Sequence, residues 1–277
     1  YRCPYEAKLP VESSNLQDTT LLDCSLGCLG PLEKLLADKG HEIAAIILEP
    51  LLQAAGGMIV YPVEYLKRLA ELVSHYGIHL ILDEVATGFG RTGRMFALEH
   101  AGLTPDFLCL SKGLTAGFIP MAATITTDEV YNAFYADYRE GKTFFHGHTF
   151  TGNPLASAAA LASLEIFEQE NVLHGLQDKI GALQSGIKRF KKLPWVGDVR
   201  GIGMVAALEL VMDRKTGIRF PPEKRVGQMI YKDGLKKGLI LRPLDDIVYL
   251  FLPLSVTADQ IEDILDRSLE VISGLSL

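Results

Sequence analysis

One short apolar run, Leu108-Cys109-Leu110, delivers a lysine into a glycine-punctuated turn, Ser111-Lys112-Gly113. A buried parallel strand seldom ends in an ammonium group, because desolvating that charge is costly. Twenty-nine residues upstream a second apolar run, Ile78-His79-Leu80-Ile81-Leu82, ends in Asp83-Glu84. An amine and an acid at the carboxyl ends of two such strands would meet where open α/β sheets hold their ligands. Pyridoxal phosphate chemistry needs that pair, a lysine for the Schiff base and an acid for the pyridine nitrogen. The blander explanations are a strand-end lysine snorkelling to water and an aspartate capping a strand. On residue type and spacing alone, the pair leaves both explanations standing.

A second group of residues suits anions. His146-Gly147-His148-Thr149-Phe150-Thr151-Gly152 is a hydroxyl- and glycine-rich turn before Asn153-Pro154. Such a turn ahead of a helix can hold phosphate, or it can simply cap the helix, which accounts fully for Asn153. The loop from Thr87 through Gly88-Phe89-Gly90-Arg91 to Gly93 also looks like a phosphate loop. It matches neither G-x-x-x-x-G-K-S/T nor G-x-G-x-x-G and reads as structural. Arg242 ends an apolar run before Pro243, where a guanidinium suits bidentate capture of a carboxylate; an ion pair with Asp245 or Asp246 fits equally well. Neither Cys24-x3-Cys28 nor His146 with His148 finds the further ligands a metal site requires. No G-x-S-x-G occurs and no cysteine has a nucleophile's surroundings, so hydrolase readings fail.

These residues must be positioned by regular elements. Residues 1–29 read as loop, 31–39 as a short helix and 43–48 as a buried strand ending at Glu49-Pro50. A glycine-rich loop at 53–58, an amphipathic helix at 62–76 and a strand at 78–82 follow. Strand, helix, strand is a βαβ unit and implies parallel pairing. Strands are expected at 107–110 and 120–126, a helix at 128–135, and a long alanine-rich helix from Pro154 to about residue 169. Beyond it, helices are expected at 171–190, 222–238 and 257–272, with strands at 204–211, 239–241 and 248–252. The fold class is α/β, a mostly parallel sheet with helices on both faces plus a smaller C-terminal α+β domain. The domains divide at 1–165 and 166–277.

Composition narrows the class. The 277 residues are 48% hydrophobic with a mean hydropathy of +0.18, enough for a substantial core. Thirty-four acids against 27 bases give −7, which argues against nucleic acid or an anionic membrane as partner. Four cysteines are too few for a disulfide framework, so a reducing cytoplasm is the simpler compartment. The most apolar stretch, 43–60, is interrupted by Glu49, Pro50, Gln53 and Gly56-Gly57 and does not read as a membrane span. Tyr1-Arg2-Cys3-Pro4 offers neither an initiator methionine nor a signal peptide, so the sequence is expected to be part of a longer one.

Taken in order, four stretches resemble the class III aminotransferases over nearly the whole chain. They are Glu49-Pro50; the run from Leu82-Asp83-Glu84 through Ala86-Thr87 to Gly93; Ser111-Lys112-Gly113-Leu114-Thr115; and the run from His146 to Ala156. The form of the second and fourth, with Leu241-Arg242-Pro243 and Val248-Tyr249-Leu250, is similar to the branch serving biotin biosynthesis. That resemblance implies a fold-type I enzyme using pyridoxal 5'-phosphate and working as a homodimer with a shared active site. It implies amination of 8-amino-7-oxononanoate, with S-adenosylmethionine as amino donor. Residue by residue, it makes Lys112 the Schiff-base lysine and Asp83 the partner of the pyridine nitrogen. Thr149 and the backbone of His148 would bind cofactor phosphate across the dimer interface, and Gly147 and Arg242 would contact the acceptor substrate. His148 stands where the family has proline. The family also has an N-terminal stretch with a Gly-Ser phosphate loop and an aromatic stacked on the cofactor ring, which this sequence lacks.

Overall fold

The computed structural model describes residues 26–275; the expectations for residues 1–25, Cys24 among them, lie outside this range. In chain order the elements begin with α1 (Gly30–Lys39), β1 (Ala45–Leu48), β2 (Leu52–Gln53), β3 (Ile59–Val60) and α2 (Val63–His75). Next come β4 (His79–Asp83), β5 (Phe107–Leu110), β6 (Ala123–Thr126), α3 (Asp128–Phe134) and α4 (Pro154–Gln169). The chain continues with α5 (Val172–Gly186), β7 (Val196–Ile202), β8 (Val205–Leu210), α6 (Val226–Lys236), β9 (Ile247–Phe251) and α7 (Ala258–Ser273).

Two sheets position everything else. The first runs β1-β4-β5-β6. β1, β4 and β5 are parallel, and β6 turns back antiparallel along β5. The expected β1–α2–β4 unit is present because α2 repeats leucine at helical spacing. Leu66, Leu69, Leu72 and Val73 pack with Leu80 and Leu82 of β4 in one core. The 43–48 run is shorter than expected and is not buried throughout. β1 borders the sheet, and Ile47 is 62% exposed. A continuous apolar run predicts two covered faces, and among the described residues only one is covered.

The second sheet runs β7-β8-β9, antiparallel throughout. β8 is buried on both sides and serves two cores by alternation. Ala206, Leu208 and Leu210 face α5 and α7 through Leu176, Ile180, Leu183, Ile261 and Leu265. Val205 and Ala207 face the opposite way, with Ile202 and Ile247, against Leu51, Leu52 and Met58 beside the β2–β3 hairpin. β7 was not expected, since Gly197, Asp198 and Gly201 are poor strand formers. Its glycines answer to packing: a Cβ at Gly197 would stand 2.7 Å from both methyls of Val211, and one at Gly201 2.6 Å from the Val205 carbonyl. Residues 239–241 form no strand. Leu239 and Leu241 turn inward and Ile240 outward, as in a strand, but no described segment offers them a ladder.

The ends of the helices agree with local chemistry. Asn153 Oδ1 accepts from the amides of Leu155 and Ala156, and Pro154 occupies the first turn of α4. Thr257 and Gln260 form a reciprocal capping box on α7. No described helix is long and apolar enough to cross a membrane.

Candidate active site

The loops after β1, β4 and β5 emerge from one end of the parallel sheet, and each carries a functional group. β4 and β5 are in register with Asp83 opposite Cys109, so Lys112 lies three residues beyond the acid's partner. Asp83 Oδ1 accepts the Val85 amide at 3.0 Å, which fixes the carboxylate just past the strand end. Lys112 opens a tight turn tied by backbone and side-chain hydrogen bonds. Leu114 N donates to Ser111 O, Ser111 Oγ to Met121 O at 2.7 Å, and Thr115 Oγ1 to Ile119 O at 2.6 Å. Lys112 has φ +44°, a left-handed conformation that costs a residue with a Cβ about 1–2 kcal/mol.

Strain is concentrated here. Leu51, Met58, Phe89, Lys112 and Ala116, in the loops following these three strands, all have positive φ. Residues held this way cluster at functional sites, where the surrounding structure over-determines them. Close packing explains Gly113, whose added Cβ would lie 2.7 Å from Cβ of Phe89. Gly113→Ala is therefore expected to lower stability by about 1–3 kcal/mol through overpacking, read from denaturant unfolding.

Glu49, at the end of β1, completes a row of three strand ends. Burial raises its carboxyl above the ordinary value; the Ala54 amide, 3.0 Å from Oε2, opposes that. Asp83 and Lys112 are both near enough to act on it, the acid reinforcing burial and the amine opposing it. In the sequence Glu49 stands within the Glu49-Pro50 motif and shows no link to the site. Its position one strand over from Asp83, at the same end, was the available signal.

Arg91 was also missed, because its loop read as structural. The loop is built around Glu84, which is fully buried. Glu84 accepts from Thr87 Oγ1 at 3.1 Å and from the amides of Ala97 and Leu98 at 2.7 and 2.8 Å. Arg91 leaves this loop to lie 4.2 Å over the Phe251 ring, and it donates to the Leu252 carbonyl. No described carboxylate pairs with it, and burial lowers its pKa to about 10. With Lys112, Phe89, Phe167 and Lys179 it lines a cavity of about 730 Å³. A desolvated guanidinium without an acid partner suits an anionic ligand.

The remaining sequence candidates lie elsewhere. Every residue from 131 to 152 is exposed, Gly147, His148 and Thr149 included. The His148 amide is engaged locally, donating to Thr151 Oγ1 at 2.9 Å. The same segment carries Tyr138 and Phe145, each 90% exposed. Arg242 is exposed and lines a different cavity, of about 530 Å³, with Arg219, Arg225 and Tyr231. It forms no ion pair among the described residues, with Asp245 and Asp246 included. Lys112 is itself exposed, against the expectation that a Schiff-base lysine needs partial desolvation. The described chain brings Glu49, Asp83 and Lys112 together and leaves Thr149 and Arg242 apart from them.

A lysine and an aspartate at or just beyond adjacent strand ends of a mixed α/β sheet suit a pyridoxal-phosphate-dependent transferase. The chain belongs to the class III aminotransferases, whose family profile matches residues 4–272. It is 47% identical over 277 residues to the adenosylmethionine-8-amino-7-oxononanoate aminotransferase of Geobacter sulfurreducens, covering 99% of this chain and 59% of that one. The enzyme of the same name from Methanocaldococcus jannaschii is 40% identical, with 60% of its length covered. The crystal structure of that archaeal aminotransferase superposes with a TM-score of 0.86 at 42% identity, over 90% of this chain and 58% of that one. An omega-transaminase from Thermomicrobium roseum gives a TM-score of 0.84 at 34% identity, over 90% of this chain and 55% of that one. The chain thus spans about 59% of the length of the first of these curated relatives.

Proposed function

We propose that the whole protein is an aminotransferase that converts 8-amino-7-oxononanoate to 7,8-diaminononanoate, with S-adenosylmethionine as amino donor. The observation that carries this reading is the Asp83–Lys112 pair on neighbouring strand ends, in a chain 47% identical to a relative of that name. Identity to the omega-transaminase structure is lower, at 34%, which favours the biotin-pathway substrate over an ω-amino acid with pyruvate.

The residues present fit pyridoxal phosphate: an acid at one strand end, an amine three residues beyond that acid's partner on the next strand, a glycine turn beside them and a cavity at the amine. When bound, that cofactor supplies a carbonyl for amine capture and a ring that accepts electrons. Lys112 holds it and, once free, moves a proton at the substrate carbon as base and then as acid. Asp83 keeps a proton on the ring nitrogen. Arg242 binds the acceptor's carboxylate, with Gly147 lining its path, and Arg91 offers the second cationic contact. Thr149 and, once its amide exchanges Thr151 Oγ1 for the ligand, the His148 backbone serve the phosphate of a second copy, in a homodimer whose interface includes the exposed aromatic segment around Tyr138 and Phe145. That assignment is supported by their exposure, by their absence from the lining of the cavity at this chain's own lysine, and by apolar area that water disfavours. The small domain begins near residue 166, where α4 leads to the second sheet. The cytoplasm is the compartment we assign.

The decisive assay uses the complete gene product, purified, with 8-amino-7-oxononanoate and S-adenosylmethionine, and mass spectrometry of the products. The 7,8-diamine is expected. No diamine with S-adenosylmethionine or with lysine as donor rejects the substrate assignment, and amination of pyruvate by ω-amino acids would replace it.

A further inference from the structure

Glu84 and Arg200 are the two charged side chains buried among the described residues, and Arg200 lies far from Glu84's loop in sequence. Arg200, on β7, is 8% exposed. Its Nε donates to the Met58 carbonyl at 2.8 Å and Nη2 to the Gly57 carbonyl at 2.7 Å. Nη1 meets Asp198 at 2.6 Å and Glu209 at 2.9 Å, so two acids offset the buried charge. The fork thus grips the turn between β2 and β3 across more than 140 residues of sequence.

That turn leads directly to the site. The amides of Gly57 and Met58 both donate to the Ala54 carbonyl, and the Ala54 amide donates to Glu49 Oε2. Tyr61 Oη donates to the Glu49 carbonyl at 2.6 Å, which holds the backbone at the same point. Leu51 and Met58 are left-handed within this stretch, so its conformation is maintained by external contacts. The neighbouring end of the β7–β8 hairpin braces the other loop. Met204 N donates to the Arg91 carbonyl at 2.9 Å, and Gln184 Nε2 holds the carbonyls of Gly203 and Val205. A Cβ on Gly203 would stand 2.3 Å from the Arg91 carbonyl, which shows how closely the hairpin presses there.

We infer that Arg200 is a positioning residue for the strand-end cluster, acting through the turn at 54–58 to hold the Glu49 carboxyl beside Asp83 and Lys112. The inference rests on reading Asp83 and Lys112 as the cofactor pair. Arg200 does not line the cavity at Lys112. It fixes a carboxyl group one position past Leu48, whose partner Leu82 directly precedes Asp83, on the strand end next to that pair. Lysine at 200 would keep the charge between Asp198 and Glu209 but could not fork to two carbonyls.

The test is a double-mutant cycle on the complete gene product loaded with pyridoxal phosphate, using Arg200→Lys, Glu49→Gln and the pair. Three quantities are read: the absorption band of the bound cofactor, its dissociation constant, and kcat with KM for the acceptor. Each single variant is expected to change the band and to weaken cofactor binding and kcat about three- to tenfold, the worth of one positioned hydrogen bond, with KM unchanged. The double variant is expected to match the worse single one, because both act through one carboxyl. Additive effects, or a wild-type band and kcat in Arg200→Lys, overturn the inference. If Arg200→Lys does not fold, Glu49→Gln decides: an altered band supports the inference and a wild-type band overturns it. Wild-type protein that yields no borohydride-stable adduct on Lys112 would instead reject the function proposed above.

Discussion

Replacing Lys112 by glycine is expected to abolish transamination and, at the same time, to raise the stability of the fold. The two effects have separate causes. Lys112 is exposed and forms no ion pair among the described residues, so its side chain contributes little to stability. Its backbone, at φ +44°, is held in a region where glycine is at ease and other residues are not. Lys112→Gly should therefore gain about 1 kcal/mol, whereas Lys112→Ala, which keeps the strain, should change stability by less than about 0.5 kcal/mol. Both should lose activity by at least about 10²–10⁴-fold, the usual worth of a positioned proton-transfer group, and neither should yield a reduced cofactor adduct on the peptide spanning residue 112. Unfolding in denaturant and peptide mass after borohydride reduction read the two halves independently. A glycine variant no more stable than wild type would mean that the turn itself prefers the left-handed lysine. An adduct that persists in either variant would place the covalent site elsewhere. A residue kept where it weakens the fold is what selection for chemistry produces.

Elements whose information is local were legible in the sequence. The leucine stripe of α2, the Asn153-Pro154 start of α4 and the Thr257 cap of α7 are set by residues within a few positions of one another. The strand at Phe107–Leu110 and its delivery of Lys112 were likewise read from one apolar run. What escaped depended on partners distant in the chain. β7 looks like a loop until β8 packs beside it and Val211 presses on Gly197. Residues 239–241 look like a strand and find no ladder among the described residues. Arg91 looked structural because its meaning comes from Phe251 and Leu252, some 160 residues on. The placement of Asp83 and Lys112 at neighbouring strand ends was legible because two apolar runs ending in charge are each unusual. Glu49, in the same row, was masked by the proline after it.

Glu84 gives the second large effect, and it concerns the scaffold under Arg91. Its carboxylate is the only described acceptor for the amides of Ala97 and Leu98, and its own amide donates to the Cys109 carbonyl of β5. Truncation to alanine leaves two amides without partners in a site closed to water, at about 1–3 kcal/mol each. Glu84→Ala is thus expected to lose about 3–5 kcal/mol, a large part of the 5–15 kcal/mol that holds an ordinary domain together. Glu84→Gln keeps the shape and one acceptor oxygen and should lose less. The pH dependence has a definite sign. Burial raises the Glu84 carboxyl above its ordinary 4.5, against the hydrogen bonds from Ala97, Leu98 and Thr87. The folded state therefore holds this proton more tightly than the unfolded chain. The resulting stabilisation is complete below pH 4.5 and is lost as pH rises through the folded-state value. Glutamine cannot titrate, so the stability advantage of wild type over Glu84→Gln should shrink as pH rises from 4.5 toward neutrality. Denaturant unfolding of both proteins across that range measures the difference directly. An advantage that grows with pH would mean that the three donors outweigh burial and that the carboxylate is the form the fold prefers.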